Sequence, residues 1–183
     1  MTDQEARTQT YNEIQLFRES FETLLMSTSN ASGLPEASYA GYIEEQGDYY
    51  VYTSDLATHT GNLKENPQCS ILFIENEHAA SHLLARKRLT YVCDVSEVSR
   101  TSSHFDKIFE KLTERFGFVM SNLKDMTDFH LFRLKPKSGR FVSGFAKAYT
   151  LTGDDLTTVK HRTGGGGHGH RRAEPVKEAV DHA

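Results

Sequence analysis

The sequence has few of the features that mark specialised protein classes. No apolar stretch approaches the roughly 20 residues needed to cross a bilayer, which argues against a membrane-spanning helix. The opening MTDQEARTQTYNEIQLF has neither the basic start nor the unbroken apolar run of a secretory signal, so the expected compartment is the cytoplasm. Only two cysteines are present, Cys69 and Cys93. Each lies inside an apolar run, without C-x-x-C or C-x-x-C-H spacing, and both read as buried free thiols. There is no basic excess either: the formal charge is −4, so nucleic acid would find no general attraction and would need a local basic patch. No internal repeat is visible. What remains is ordinary for a folded domain, with 37% hydrophobic and 25% charged residues over 183 positions, enough for one well-buried core.

Ile14, Phe17 and Phe21 share one side of a short helix predicted over residues 10–21, preceded by a frayed polar run at residues 1–9. Short β-type runs then alternate with turn signals: ETLLMSTS, a turn from Asn30 to Gly33, ASYAGYIE, a turn from Glu45 to Asp48, and YYVYTS. That alternation predicts antiparallel hairpins. A helical turn or two from Asp55 to Asn66 stops at Pro67, because proline disfavours helical geometry in the residue before it. CSILFIE follows as a buried strand, and Arg86 to Ser96 passes from basic and apolar alternation into another.

The one long helix is predicted from His104 to Gly117. Phe105, Ile108, Phe109, Leu112 and Phe116 recur at helical spacing, Ser103 with Asp106 offers a cap, and Gly117 supplies a left-handed end. Its aromatic stripe reads as core or dimer packing. DFHLFRLKP and GRFVSGFAKAYTL are the last strands, separated by a Pro-Lys-Ser-Gly turn. Six or seven short strands with few helices predict a mainly β, α+β fold built on a small barrel. That domain is expected over residues 1–155. In the remaining 156–183, the run RTGGGGHGHRR has no apolar residue to offset its ordering entropy, and it reads as a flexible Gly/His-rich tail.

Several segments together resemble the HutZ/HugZ/ChuZ family of bacterial haem-utilisation proteins, and its HutZ subgroup above all. They are SDLATHTGNLKENPQCSILFIE, LLARKRLTY, TDFHLFRLKP with GRFVSGFAKAY, the GDDL that follows, and the late GHRR, in the same order between residues 14 and 172. This family is a branch of the FMN-binding split-barrel superfamily that includes pyridoxamine 5'-phosphate oxidase. The resemblance implies a split-barrel homodimer with haem near the subunit interface, and loss of clear flavin dependence.

Neutral imidazole is the usual nitrogen ligand of haem iron, and the chain has nine histidines. On residues alone, His168 and His170 suit a closing lid, a solvated linker or a weak metal site. The resemblance matches Gly169, His170 and Arg171 to the family's Gly-His-Arg axial ligand, so His170 is the implied ligand to haem iron. The longer glycine run and doubled histidine depart from the family's tail and leave His168 as the alternative. Asp128 matches the aspartate that contacts the axial histidine across the interface, where a carboxylate fixes the imidazole tautomer. Arg88 matches the distal-side arginine, with Arg86 and Lys87 beside it to offset the haem propionates. His59, with Thr60 and Asn62, lies at a helix start that approaches the FMN phosphate in flavin-binding split barrels. It reads as a relic of that site, as support for the haem pocket, or as a surface cap.

The implied activity is that of a haem oxygenase, cleaving haem to biliverdin, carbon monoxide and iron. No electron-transfer motif is visible, so the reductant comes from outside. Two other functions use overlapping residues: a haem carrier or store without turnover, and an FMN-dependent oxidoreductase.

Overall fold

The computed structural model describes residues 2–162. A first helix, α1 (Asp3–Glu19), leads into the hairpin strands β1 (Thr23–Ser29), β2 (Pro35–Glu45) and β3 (Asp48–Ser54). A short α2 (Thr58–Glu65), β4 (Gln68–Ile74) and β5 (Arg88–Glu97) follow, then α3 (Ser103–Phe116) and α4 (Val119–Lys124). The last described elements are β6 (Phe129–Gly144), β7 (Lys147–Thr152) and β8 (Thr158–His161). All the strand pairings are antiparallel, in the order β3-β2-β1-β4-β5-β6-β7-β8. A further β3–β6 pairing closes the first six strands into a barrel. The fold is therefore the mainly β split barrel with flanking helices that the sequence implied.

Strand β6 makes the split. Its first half pairs with β3 from Phe129 to Leu134, its second half pairs with β7 from Gly139 to Gly144, and β5 runs along both. The predicted Pro-Lys-Ser-Gly turn does not exist. Pro136 has no N–H to give a ladder, and the β5–β6 register shifts between Val92 and Cys93, so a bulge absorbs the proline and the strand continues. Gly139 serves packing: a Cβ there would fall 2.9 Å from the Tyr91 ring and 3.1 Å from Leu151 Cβ. The real turn comes later, between Gly144 and Lys147, where Ala146 adopts φ 59°.

Three boundaries also differ from expectation. Helix α1 begins at Asp3 instead of fraying over residues 1–9, because Thr2 and Glu5 form a capping box in which each side chain accepts the other's backbone N–H, at 3.2 and 2.7 Å. Helix α3 is capped by Ser102 rather than Ser103, its hydroxyl accepting the Phe105 N–H at 3.2 Å. The barrel continues past residue 155, since β8 pairs with β7 and both Leu156 and Val159 are buried in the core.

The barrel interior is aromatic and aliphatic, with Tyr49, Phe73, Phe132, Phe141 and Ile71 fully buried and Ile14 of α1 plugging it. The stripe of α3 forms a second core outside the barrel, where Phe105, Ile108, Phe109 and Leu112 pack on Ile43, Tyr50 and Leu131. Burying those four side chains contributes roughly 8 kcal/mol gross, at about 2 kcal/mol each. Cys69 and Cys93 face each other across β4 and β5, buried and free as expected. The neighbouring Cys69 thiol and then burial hold the Cys93 thiol far above the ordinary thiol range, which leaves it inert as a nucleophile.

Candidate functional site

The sequence-predicted residues fall into two groups at opposite ends of the barrel. At one end the β3–β6 ladder finishes with Ser54 opposite Phe129, and the Asp55 N–H donates to the Asp128 carbonyl at 2.8 Å. This backbone bond and the Ser54 hydroxyl, which donates to Asp128 Oδ2 at 3.1 Å, set the carboxylate at the barrel rim, half-buried. Beside it, two residues into β6, His130 Nδ1 lies 2.8 Å from Glu97 Oε1 and Nε2 lies 3.1 Å from Asp55 Oδ2. Lys64 of α2 bridges back, with its Nζ 2.5 Å from Asp55 Oδ1. His130 had no distinguishing sequence context, and only its position two residues after Asp128 hinted at a shared rim. Because its two carboxylates sit on opposite ring nitrogens, they do not converge with the imidazole on one metal ion. Among the described residues, no cluster of three His, Cys, Asp or Glu is placed to hold a metal.

His59 lies on α2 at the same end. Burial lowers its pKa, with Glu36 opposing the shift. Thr60 and Asn62 are structural: the Thr60 hydroxyl donates to the Ser54 carbonyl at 2.6 Å, and the Asn62 amide donates to Thr28 Oγ1 and to the Glu36 carboxylate at 3.0 and 3.1 Å. With these side chains committed within the chain and a carboxylate among them, the start of α2 does not fit a flavin phosphate.

At the other end, Arg86, Lys87 and Arg88 enter β5, and their partners separate them. Arg86 clamps the end of β4 by donating to the Glu75 carbonyl through Nε at 2.9 Å and to Glu77 Oε1 through Nη1 at 3.0 Å. Lys87 reaches α1, its Nζ 2.7 Å from Glu13 and 5.9 Å from the centre of the Phe17 ring. Arg88 donates only to the Arg86 carbonyl, at 3.1 Å, and makes no ion pair among the described residues. Of the three, Arg88 therefore keeps a charge available to an anion, while Arg86 and Lys87 hold the turn that presents it. Exposed Leu83 and Leu84 precede it in the β4–β5 connection and exposed Phe145 follows its ladder partner Val142 by three residues, with the His82 and Phe145 rings 6.4 Å apart.

Arg88 is opposite Val142 on β6, whereas Glu97, at the far end of β5, is opposite Phe132, close to Asp128. The nine residue steps from Arg88 to Glu97 span about 30 Å of strand at ~3.3 Å each. A single chain therefore does not bring Arg88 and Asp128 together. The last described residue, Arg162, donates its N–H to the Ala148 carbonyl at 2.7 Å, and Ala148 is opposite Val142. The described residues thus finish at the Arg88 end of the barrel. His168 and His170 lie outside the described residues. Two open clefts of about 550 Å³ flank α1, one against β7 and β8, the other against the β2–β3 turn and Arg133; neither is lined by Arg88 or Asp128.

No described helix is long and apolar enough to cross a membrane. The profile of the pyridoxamine 5'-phosphate oxidase family matches residues 11–143. Over 160 residues, 87% of this chain and 89% of the relative, the sequence is 42% identical to the heme oxygenase HutZ of Vibrio cholerae. The solved structure of HutZ, described there as a heme storage protein, superposes with a TM-score of 0.66 over 69% of this chain and 89% of HutZ. Campylobacter jejuni ChuZ, at 31% identity, superposes with a TM-score of 0.79 over 91% of this chain and 67% of ChuZ.

Proposed function

Because the chain belongs to the pyridoxamine 5'-phosphate oxidase family, in the branch that contains HutZ, we propose that it is a cytoplasmic haem oxygenase whose site forms between two copies of the chain. The observation that carries this reading is the placement of Arg88 and Asp128 at opposite ends of β5. In a two-fold dimer whose β5 strands run past each other in opposite directions, the Arg88 end of one copy meets the Asp128 end of the other, giving two equivalent sites. The outer sheet face between those ends supports such a contact: Leu25 is opposite both Tyr39 and Leu72, and Leu25, Tyr39 and Val92 are exposed.

The residues present fit haem as substrate. Leu83, Leu84 and Phe145 offer an apolar surface to the macrocycle, and the uncommitted Arg88 guanidinium offers charge-assisted hydrogen bonds to a propionate or to an oxygen ligand. The axial ligand is His170, with His168 as the alternative. The carboxylate accepting the imidazole N–H is Asp128 of the second copy, because in that dimer the Arg88 end of one copy, where the described residues finish at Arg162, meets the Asp128 end of the other. The protein binds, orients and fixes a tautomer; the iron supplies the chemistry with dioxygen and an external reductant, ending in biliverdin, carbon monoxide and free iron.

The test is an absorption titration with hemin of the wild type and of His170→Ala, followed by reductant in air. A saturable Soret band that the variant loses, and that bleaches to a bile-pigment spectrum in the wild type, supports the proposal. Saturable binding without pigment favours a haem store, the description given to the solved HutZ structure. Absence of saturable binding refutes both.

A further inference from the structure

The segment between α4 and β6, which carries Asp128, is gathered by one side chain that the proposed reaction does not use. Arg100 lies in the turn after β5. Its Nη2 donates to the Met126 carbonyl at 2.8 Å, to the Phe129 carbonyl at 2.6 Å and to the Tyr52 hydroxyl at 3.1 Å. Its Nη1 donates to the Lys124 carbonyl. The Tyr52 hydroxyl in turn donates to the Leu123 carbonyl at 3.1 Å, and the guanidinium lies 5.4 Å from the centre of the Phe105 ring. The carbonyls thus gathered stand on both sides of Asp128, two residues before it and one after.

Only a guanidinium offers several donors in one rigid plane, so a lysine ammonium cannot replace this fan. Arg100 is exposed and has no carboxylate partner among the described residues, so burial and ion pairing do not account for its placement. Apart from the Tyr52 hydroxyl, its hydrogen-bond partners are backbone carbonyls, and the shape they hold is the path of residues 124–129.

We propose that Arg100 is the positioning residue for Asp128. It fixes the backbone on both sides so that the carboxylate, already accepting from Ser54, presents one orientation to its imidazole partner. This inference rests on the reading of Asp128 given above.

The test combines a measurement on protein without haem with a spectroscopic one on the hemin complex. In the haem-free protein, Arg100→Ala should speed amide exchange about tenfold at Asp55 and across residues 124–129, with the rest of the barrel unchanged. Arg100→Lys should restore little, and Arg115→Ala, which removes a different exposed arginine bonded to the Phe21 carbonyl, should leave that segment slow. In the haem complex reduced to the ferrous state with dithionite, Asp128→Ala should lower the iron–histidine stretching frequency, because the imidazole loses its acceptor. Arg100→Ala should lower it in the same direction, and the double variant should add nothing. An unchanged exchange rate in both Arg100 variants overturns the inference. So does a loosened segment with a wild-type stretching band while Asp128→Ala shifts it. If Asp128→Ala itself leaves the band unmoved, the failure lies in the assignment of Asp128 and takes the inference with it.

Discussion

Replacing Gly139 by alanine tests the least expected feature of the barrel, the passage of β6 through Pro136 to Gly139 without a turn. Gly139 is buried, and the added Cβ would stand 2.9 and 3.0 Å from Tyr91 ring carbons and 3.1 Å from Leu151 Cβ. The Tyr91 ring cannot swing aside: it is 4% exposed and packs 5.8 Å from Tyr49, which packs 5.5 Å from Tyr42. The strain therefore passes to the β5–β6 and β6–β7 ladders. Overpacking a core by one methyl costs about 1–3 kcal/mol. Removing glycine from a strand returns roughly 0.5–1 kcal/mol of entropy, so the midpoints leave a net loss of about 1 kcal/mol. For a chain of this size each kcal/mol moves Tm by about 2–4 °C, so scanning calorimetry should show a fall of roughly 2–4 °C. In a turn with ordinary backbone angles the same change is neutral or stabilising. An unchanged or raised Tm would refute the strand placement.

Three further outcomes follow from individual side chains. Burial lowers the His59 pKa, so the unfolded chain binds a proton more readily below its ordinary value of about 6.5; the stability contribution is whole above that pH and falls as acid is added, and His59→Gln should flatten Tm between pH 7.5 and 5.5. Burial pushes Tyr91 up to about 12, so the fold holds a proton that the unfolded chain loses near pH 10; stability should drop above that pH, and less steeply in Tyr91→Phe, as read by urea midpoints. Arg88→Ala should weaken hemin binding by about 10- to 100-fold, the worth of a charge-assisted hydrogen bond at 1.5–3 kcal/mol, and leave Tm within about 1 °C because the Arg88 side chain bonds only the Arg86 carbonyl. Equal hemin affinity in that variant would remove Arg88 from the site.

The sequence carried the barrel where local pattern and tertiary demand agree. The hairpins announced themselves through Gly33 and Gly47, both at positive φ, and α3 through a stripe that does pack as core. It failed where a long-range contact overrode a local signal. Pro-Lys-Ser-Gly is a good turn, yet a bulge against β5 makes it strand. The four residues of β8 show no period until β7 lies beside them and Val159 meets the core. Asp128 and Arg88 were visible only through the family resemblance, whereas the separation of Arg88 from Arg86 and Lys87 required seeing which carbonyls and carboxylates each one meets. Arg100 and His130 left almost no trace, because their partners are backbone carbonyls and carboxylates distant in sequence.

The central claim is that Arg88 of one copy and Asp128 of another complete one haem site, and mixing two disabled variants tests it most directly. Arg88→Ala and Asp128→Ala, unfolded together and refolded as a mixture, should form hybrid dimers in which one site carries both defects and the other carries neither. Random pairing makes half the dimers hybrid, so about one quarter of all sites should regain wild-type hemin binding and turnover, although neither variant alone shows it. Recovery near that fraction supports a site shared between copies. No recovery in a mixture shown to contain hybrids would place both residues in sites that a single chain completes, and would contradict the account.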